Sequence, residues 1–378
     1  MYDCIVVGAG PAGAATAYHL AKQGRSVVVL EKESLPRYKA CGGGISPQIA
    51  KWFDFSFEPV IVGRIDQFQF TWKLEDPVKA VIDTSEPMWL IERQSFDHYL
   101  VEQAQQCGAV FKDATPATGI TFHGDQWDVS TPAGTLTARY LVAADGATGP
   151  TAAWLGEKGR KTRTAYVVEI PKIPTKEASH QGHVEFGLLK NGYIWAFPKQ
   201  SGWTISAAVF RGGEPKNLPA ILKQYIQYLG GDPQQAQFHT TQLYAWDGDR
   251  PLHKQQALLV GETAGLVDPF SGEGVRPALL SGTRAAEAIN AALAGDRQAL
   301  AEYTNRLKTE WLEDMSWSAK IAAVFYRIPG VAYQIGVKRP SARARMGKIL
   351  SGELRYSEIA IRAIKRLTTN LIPGMGGK

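Results

Sequence analysis

Cysteine is scarce: Cys4, Cys41 and Cys107 are the three in 378 residues. Their spacing builds neither a disulfide framework nor a metal site, so a reducing compartment is expected. Long apolar runs are missing too. The best candidate, around Ile321–Tyr326, is interrupted by Arg327 and Pro329, and no stretch reaches the eighteen or so residues that a bilayer span requires. The chain enters an apolar strand pattern at Asp3, so no signal peptide is expected. Internal repeats and low-complexity tracts are absent, which argues against a solenoid and against long disordered linkers. What remains is a globular composition, 44% hydrophobic, long enough for a large core and two domains.

Charge is unevenly placed. Residues 316–378 hold twelve Lys or Arg against two acids, Glu353 and Glu358. That segment carries +10 within a total of +6, so the preceding 315 residues carry −4. The same segment has apolar helical stretches, Ile321–Tyr326 and a later one with Ile359, Ile361, Ile364 and Leu367. A basic, partly amphipathic end of this kind suits an anionic membrane surface. The plainer reading is a solvated basic helix packed on its own acidic body. Nucleic acid is not an expected partner, since no binding motif or aromatic interleaving accompanies the cations.

The first 44 residues are the most informative. Asp3-Cys4-Ile5-Val6-Val7 reads as a buried parallel strand, followed at once by Gly8-Ala9-Gly10-Pro11-Ala12-Gly13. An amphipathic helix then runs to Gly24, and a second strand, Val27–Leu30, ends at Glu31. Gly8 permits a tight turn, Gly10 lets backbone approach a pyrophosphate, and Gly13 lets helix pack closely on strand. Ala12 shares that turn, and phosphates would sit at the positive helix N-terminus. Glu31 can accept from ribose hydroxyls, which favours FAD or NAD over NADP, with Lys32 beside it. Pro36–Gly44 is a basic, Gly-dense loop containing Lys39, Cys41, Gly42 and Gly43. Three consecutive glycines are unfavourable inside helix or strand and suit backbone laid against something flat, such as an isoalloxazine ring.

With these residues in place, the chain resembles the geranylgeranyl reductase family, a branch of the aromatic-hydroxylase-like flavoproteins. Arg93 and Asp97 match an R-x-x-F-D-like element, and Tyr140–Gly146 matches an apolar strand that delivers Asp145-Gly146 to the phosphates. Leu258–Gly265 with Pro269–Val275 is similar to the third flavin motif, in which a carboxylate holds the ribityl chain and a helix N-terminus faces the pyrimidine. Gly261, Glu262, Gly272, Gly274 and Val275 are the matching positions. The family usually has Gly-Asp there; Glu262 adds a methylene. The resemblance covers about 300 residues in order and implies bound FAD, with NADPH or reduced ferredoxin as electron donor.

His183 to Phe210 reads as three antiparallel strands joined by Lys190-Asn191-Gly192 and Gln200-Ser201-Gly202. The middle one, Tyr193–Lys199, looks like the family's Y-x-W-x-F-P strand. Alternation puts Tyr193, Trp195 and Phe197 on one face, where they serve either as sheet core or as the wall of a prenyl cavity.

The expected fold is α/β with α+β character. A discontinuous Rossmann-like FAD domain (1–60, 93–165, 250–300) is joined by an antiparallel-sheet substrate domain (61–92, 166–249) and a basic helical C-terminal region (301–378). The implied reaction is saturation of C=C bonds in a geranylgeranyl chain, carried as a prenyl diphosphate or on a pigment, quinone or lipid. Hydride from flavin requires a proton at the other carbon, from water, a side chain or the flavin. Cys41 is the leading side-chain donor, with Tyr193 as the second. A flavin monooxygenase on the same scaffold, or a non-catalytic flavin-bound prenyl-lipid carrier, would share these motifs. The expected location is cytoplasmic, or peripheral on the inner or photosynthetic membrane.

Overall fold

The computed structural model describes residues 1–360 apart from 160, 172, 174–179, 211, 214 and 216. Tyr2–Val7 lies mid-sheet, parallel to Val27–Leu30 on one side and to Gly134–Ala143 on the other. Val110–Lys112 continues one edge; Ala257–Leu259 and His253–Lys254 continue the other. Gln126–Thr131 and Gly119–His123 extend Gly134–Ala143 as an antiparallel meander. Strands buried on both faces read as unbroken apolar runs, which is why Cys4–Val7 and Val27–Leu30 carry no polar alternation.

Helix Pro11–Lys22 packs on this sheet and beneath helix Val275–Leu293. Its small residues, Ala12 to Ala17, permit the approach. A Cβ on Gly13 would stand 2.0 Å from the Gly8 carbonyl oxygen, and one on Gly282 would stand 2.3 Å from that of Ala12.

A second, seven-stranded sheet runs in the order Gln237–Leu243, Arg163–Ile170, Gly202–Val209, Gly192–Lys199, Gln181–Phe186, Gln67–Trp72, Glu75–Val81. The three strands expected between residues 183 and 210 are adjacent and antiparallel, with Asn191 (φ 62°) and Gly202 (φ 141°) at the turns. One face packs on helix Leu218–Tyr228 through Ile194, Ala196, Ile205, Leu222 and Ile226. The opposite face presents Phe68, Phe70, Phe186 and Phe197 to the helices Glu313–Arg327 and Pro329–Gly336.

Segment 61–92 divides between sheets. Met88–Ile91 pairs with Gly44–Ile45 on one side and with Ile61–Ile65 on the other, while Gln67–Trp72 and Glu75–Val81 join the large sheet. Nor is the described part of 301–360 an appendage. The Ser318 hydroxyl donates to buried Asp268 at 2.6 Å, and Tyr333 donates to the Asp76 carbonyl at 2.9 Å. The expected stretch through Ile361, Ile364 and Leu367, with the cations from Arg362 on, lies outside the described residues. Among the described residues no helix is long and apolar enough to cross a membrane.

Candidate functional site

A long cleft enclosing about 1700 Å³, its open side included, follows the carboxyl ends of the central strands. It is lined by Gly8, Gly10, Ala12, Glu31, Lys32, Lys39, Cys41, Gly42, Arg93, Asp145, Gly146, Glu262, Gly272, Gly274 and Val275. Gly13, Gly43 and Gly261 are not in the lining. Gly13 is a packing residue, Gly43 (φ 84°) lies against the Ile91 carbonyl, and Gly261 (φ 56°) lies against Ala12 and Ala278.

The glycines of the first turn separate cleanly. Gly8 (φ 106°) sits 2.4 Å, by its would-be Cβ, from the Ala144 carbonyl oxygen, and Gly13 abuts Gly8. Gly10 has no such protein neighbour: within 4 Å a Cβ would meet only the Arg93 Nη2, at 3.9 Å. Its missing side chain leaves space in the cleft itself, above the N-terminus of the helix that Gly10 caps. A dinucleotide pyrophosphate fits that space and that polarity.

Glu31 closes one end of the cleft. Its Oε2 accepts from the Ala9 amide at 2.9 Å and from Arg37 at 3.4 Å, and its Oε1 accepts from the Glu33 amide at 3.2 Å. Arg37, which sequence reading left unassigned, also reaches Asp97 at 3.1 Å. Fully buried Asp97 takes a bidentate pair from Arg93, at 2.7 and 2.8 Å. Burial works against the Arg93 charge, yet Asp97, with a smaller contribution from nearby Cys41, holds it firmly protonated. A chain of alternating charges thus runs from Glu31 through Arg37 and Asp97 to Arg93. Asp97→Ala would leave two guanidiniums buried without their shared acid and should cost about 3–5 kcal/mol of stability in chemical denaturation.

At the opposite wall, the Asp145 Oδ2 accepts from the Thr151 amide and hydroxyl at 2.8 and 2.6 Å, fixing the turn that brings Gly146 to the cleft. Glu262 lines the cleft, and its Oε1 accepts from the Tyr244 amide at 3.0 Å. Burial lowers the Lys39 ammonium pKa, and Glu262 opposes that shift.

The triple glycine meets flat surfaces that belong to the protein. A Cβ on Gly42 would stand 2.2 Å from the Trp195 Nε1, and one on Gly44 would stand 2.8 Å from the Phe197 ring. The loop lies on the aromatic strand. That strand in turn walls a second, largely apolar cavity of about 1690 Å³, its mouth included. Tyr193, Trp195 and Phe197 all line it, joined by Phe68, Phe70, Phe186, Phe270 and Phe325, and by Ile335 and Met346 of the C-terminal helices. The cavity and the cleft share one boundary, built from Cys41, Gly42, Trp195, Gly272, Gly274 and Val275.

The two suggested proton donors differ in setting. Cys41 stands at that boundary. The Tyr193 hydroxyl donates to the Ser271 carbonyl at 2.6 Å, and burial, with Asp268 and Glu273 nearby, pushes its pKa well above the ordinary value. Burial also raises the Glu273 carboxyl, partly offset by Arg276 at 2.8 Å.

Residues 1–188 match the family described as FAD binding domain. An uncharacterized protein of Methanosarcina barkeri is 30% identical over 332 residues, spanning 86% of this chain and 84% of its own length. A digeranylgeranylglycerophospholipid reductase of Methanocaldococcus jannaschii is 26% identical over 337 residues, spanning 83% and 84%. The chain belongs to the geranylgeranyl reductase family of FAD-dependent oxidoreductases. A solved structure of a geranylgeranyl bacteriochlorophyll reductase-like protein from Thermoplasma acidophilum has the same fold, with a TM-score of 0.77 over 93% of this chain and 91% of that one at 22% identity. The FAD-type motifs are spread along the chain, at 8–13, 145–146 and 261–275, and the fold gathers them around one cleft.

Proposed function

We propose that this enzyme saturates C=C bonds of a geranylgeranyl chain held in the apolar cavity, with FAD in the adjoining cleft. The observation that carries this reading is the shared boundary, where Cys41 and Gly42 face both spaces. A cleft suited to a dinucleotide and a cavity suited to a polyprenyl chain meet at one thin wall. Glu31 would hold the adenosine ribose, Gly10 the pyrophosphate approach, and Glu262 with Lys39 the ribityl side. The name of the Methanocaldococcus jannaschii relative supports a prenyl-lipid substrate.

Reduced flavin, when bound, supplies a hydride to one alkene carbon. An isolated alkene accepts hydride poorly unless a proton arrives at its other carbon. On this reading the Cys41 thiol, at the boundary of the two spaces, gives that proton. Tyr193 instead positions Ser271 and the loop that follows it. A polar cleft lined by Tyr38, Lys39, Glu92, Arg93 and Lys199 also reaches Cys41 and offers the electron donor, NADPH or reduced ferredoxin, an approach.

Two measurements test the reading. Dithionite-reduced protein incubated without oxygen with geranylgeranyl diphosphate should yield products heavier by two hydrogens per saturated bond; unchanged substrate, or oxygen insertion once air is admitted, would sink it. Glu31→Ala should weaken FAD binding by about 1–3 kcal/mol, the cost of leaving hydroxyls without a charged partner. An unchanged flavin titration would show that Glu31 serves only Ala9, Glu33 and Arg37.

A further inference from the structure

Four of the molecule's exposed large apolar side chains fall within twelve residues: Val324 (62% exposed), Ile328 (48%), Val331 (53%) and Ile335 (49%). Each pair is four residues apart, so each pair shares one face of its turn. The inward faces are accounted for, since Ala322, Phe325, Tyr326, Tyr333 and Val337 are buried in the apolar cluster beneath. Both helices lie on that cluster, so the exposed pairs point away from it.

Cations flank these residues in sequence: Lys320, Arg327 and Arg339 are exposed, and Arg345 lines the apolar cavity. Among the described residues, Arg327, Arg339 and Arg345 have no acidic partner, whereas Lys338 is paired with Asp76. Ile335 belongs both to the exposed patch and to the cavity lining, so the patch runs into the cavity mouth.

We propose that the outer face of helices Glu313–Arg327 and Pro329–Gly336 docks on an anionic lipid bilayer, with the cavity mouth turned toward it. Exposed apolar side chains flanked in sequence by cations without acidic partners match the acyl boundary and the anionic head groups of such a surface. A prenyl chain could then pass from bilayer to cavity along Ile335 without crossing water; in that purpose the proposal rests on the prenyl-reduction reading. The docking itself is measured without substrate.

The test is co-sedimentation of the flavin-loaded full chain with vesicles of phosphatidylglycerol and phosphatidylcholine, against vesicles of phosphatidylcholine alone. Wild type should bind the anionic vesicles and release them in high salt. Val324→Asp combined with Val331→Asp should lower partitioning by about tenfold or more, and Arg327→Gln with Arg339→Gln should act in the same direction. Val110→Asp, an exposed apolar position at the edge of the flavin-side sheet, should bind like wild type. Retained flavin absorbance and melting temperature show that the variants fold.

Wild type remaining in the supernatant with anionic vesicles overturns the proposal. So does wild-type-like binding by both double variants, or a concentration-dependent dimer abolished by Val324→Asp with Val331→Asp. Vesicle binding by a protein that reduces no prenyl compound would uphold docking while removing the catalytic reading.

Discussion

Gly10→Val should give a folded protein that purifies without colour. The expected loss is nearly complete: flavin content falling at least tenfold, which corresponds to about 1.4 kcal/mol or more of binding free energy. The substituted Cβ has room in the protein, with Arg93 Nη2 at 3.9 Å its sole neighbour within 4 Å, so the fold should tolerate it. The branches beyond that Cβ occupy the space over the helix N-terminus, where a pyrophosphate would be held. Gly13→Val makes the informative contrast. Its Cβ would stand 2.0 Å from the Gly8 carbonyl oxygen and 3.1 Å from Val6, so this variant should misfold rather than merely lose flavin. Melting curves and absorbance spectra of the two side by side distinguish the roles. A yellow, stoichiometrically loaded Gly10→Val protein would mean that the nucleotide lies elsewhere.

The second large effect is on catalysis. Cys41→Ala should retain FAD and slow prenyl reduction by roughly 10²- to 10⁴-fold, the usual cost of removing a positioned proton donor. Cys41 stands where cleft and cavity meet, and its truncation leaves both Arg93 bonds to Asp97 in place. The stability cost should therefore be small beside the kinetic one. Cys41→Ser separates shape from acidity: a residue needed only to fit beside the ring tolerates serine, and a proton donor does not. Equal single-turnover rates for wild type and Cys41→Ala would pass the role to water or to the flavin. Tyr193 is a poor successor, since its proton is engaged by the Ser271 carbonyl.

Local features were legible in the chain. The strand–glycine turn–helix–strand segment ending at Glu31 is specified by neighbours in sequence, and its periodicity and turn residues are visible there. The same holds for the hairpins around Tyr193–Lys199, whose alternation placed three rings on one face and put all three in the cavity lining. Features that depend on distant partners were hidden. Arg37 matters because Asp97, sixty residues on, packs beside it, and nothing near Arg37 signals that. The triple glycine was readable as backbone against a flat object; that Gly42 and Gly44 lie against Trp195 and Phe197 was not, because those rings come from a distant strand. The C-terminal helices advertised their charge, while their role as a cavity wall rests on Phe325, Ile335 and Met346 meeting Phe68, Phe70 and Phe186 across the fold.

The most direct test of the central claim is anaerobic single-turnover reoxidation of the photoreduced enzyme by a geranylgeranyl substrate, followed by flavin absorbance and product mass together. The account predicts that oxidised flavin reappears without oxygen, one flavin for each double bond lost. It further predicts that narrowing the cavity with Gly44→Leu or Val184→Trp slows this step while FAD stays bound. Flavin that stays reduced with every prenyl compound, yet is oxidised by O2 with hydroxylation of a substrate, would contradict it.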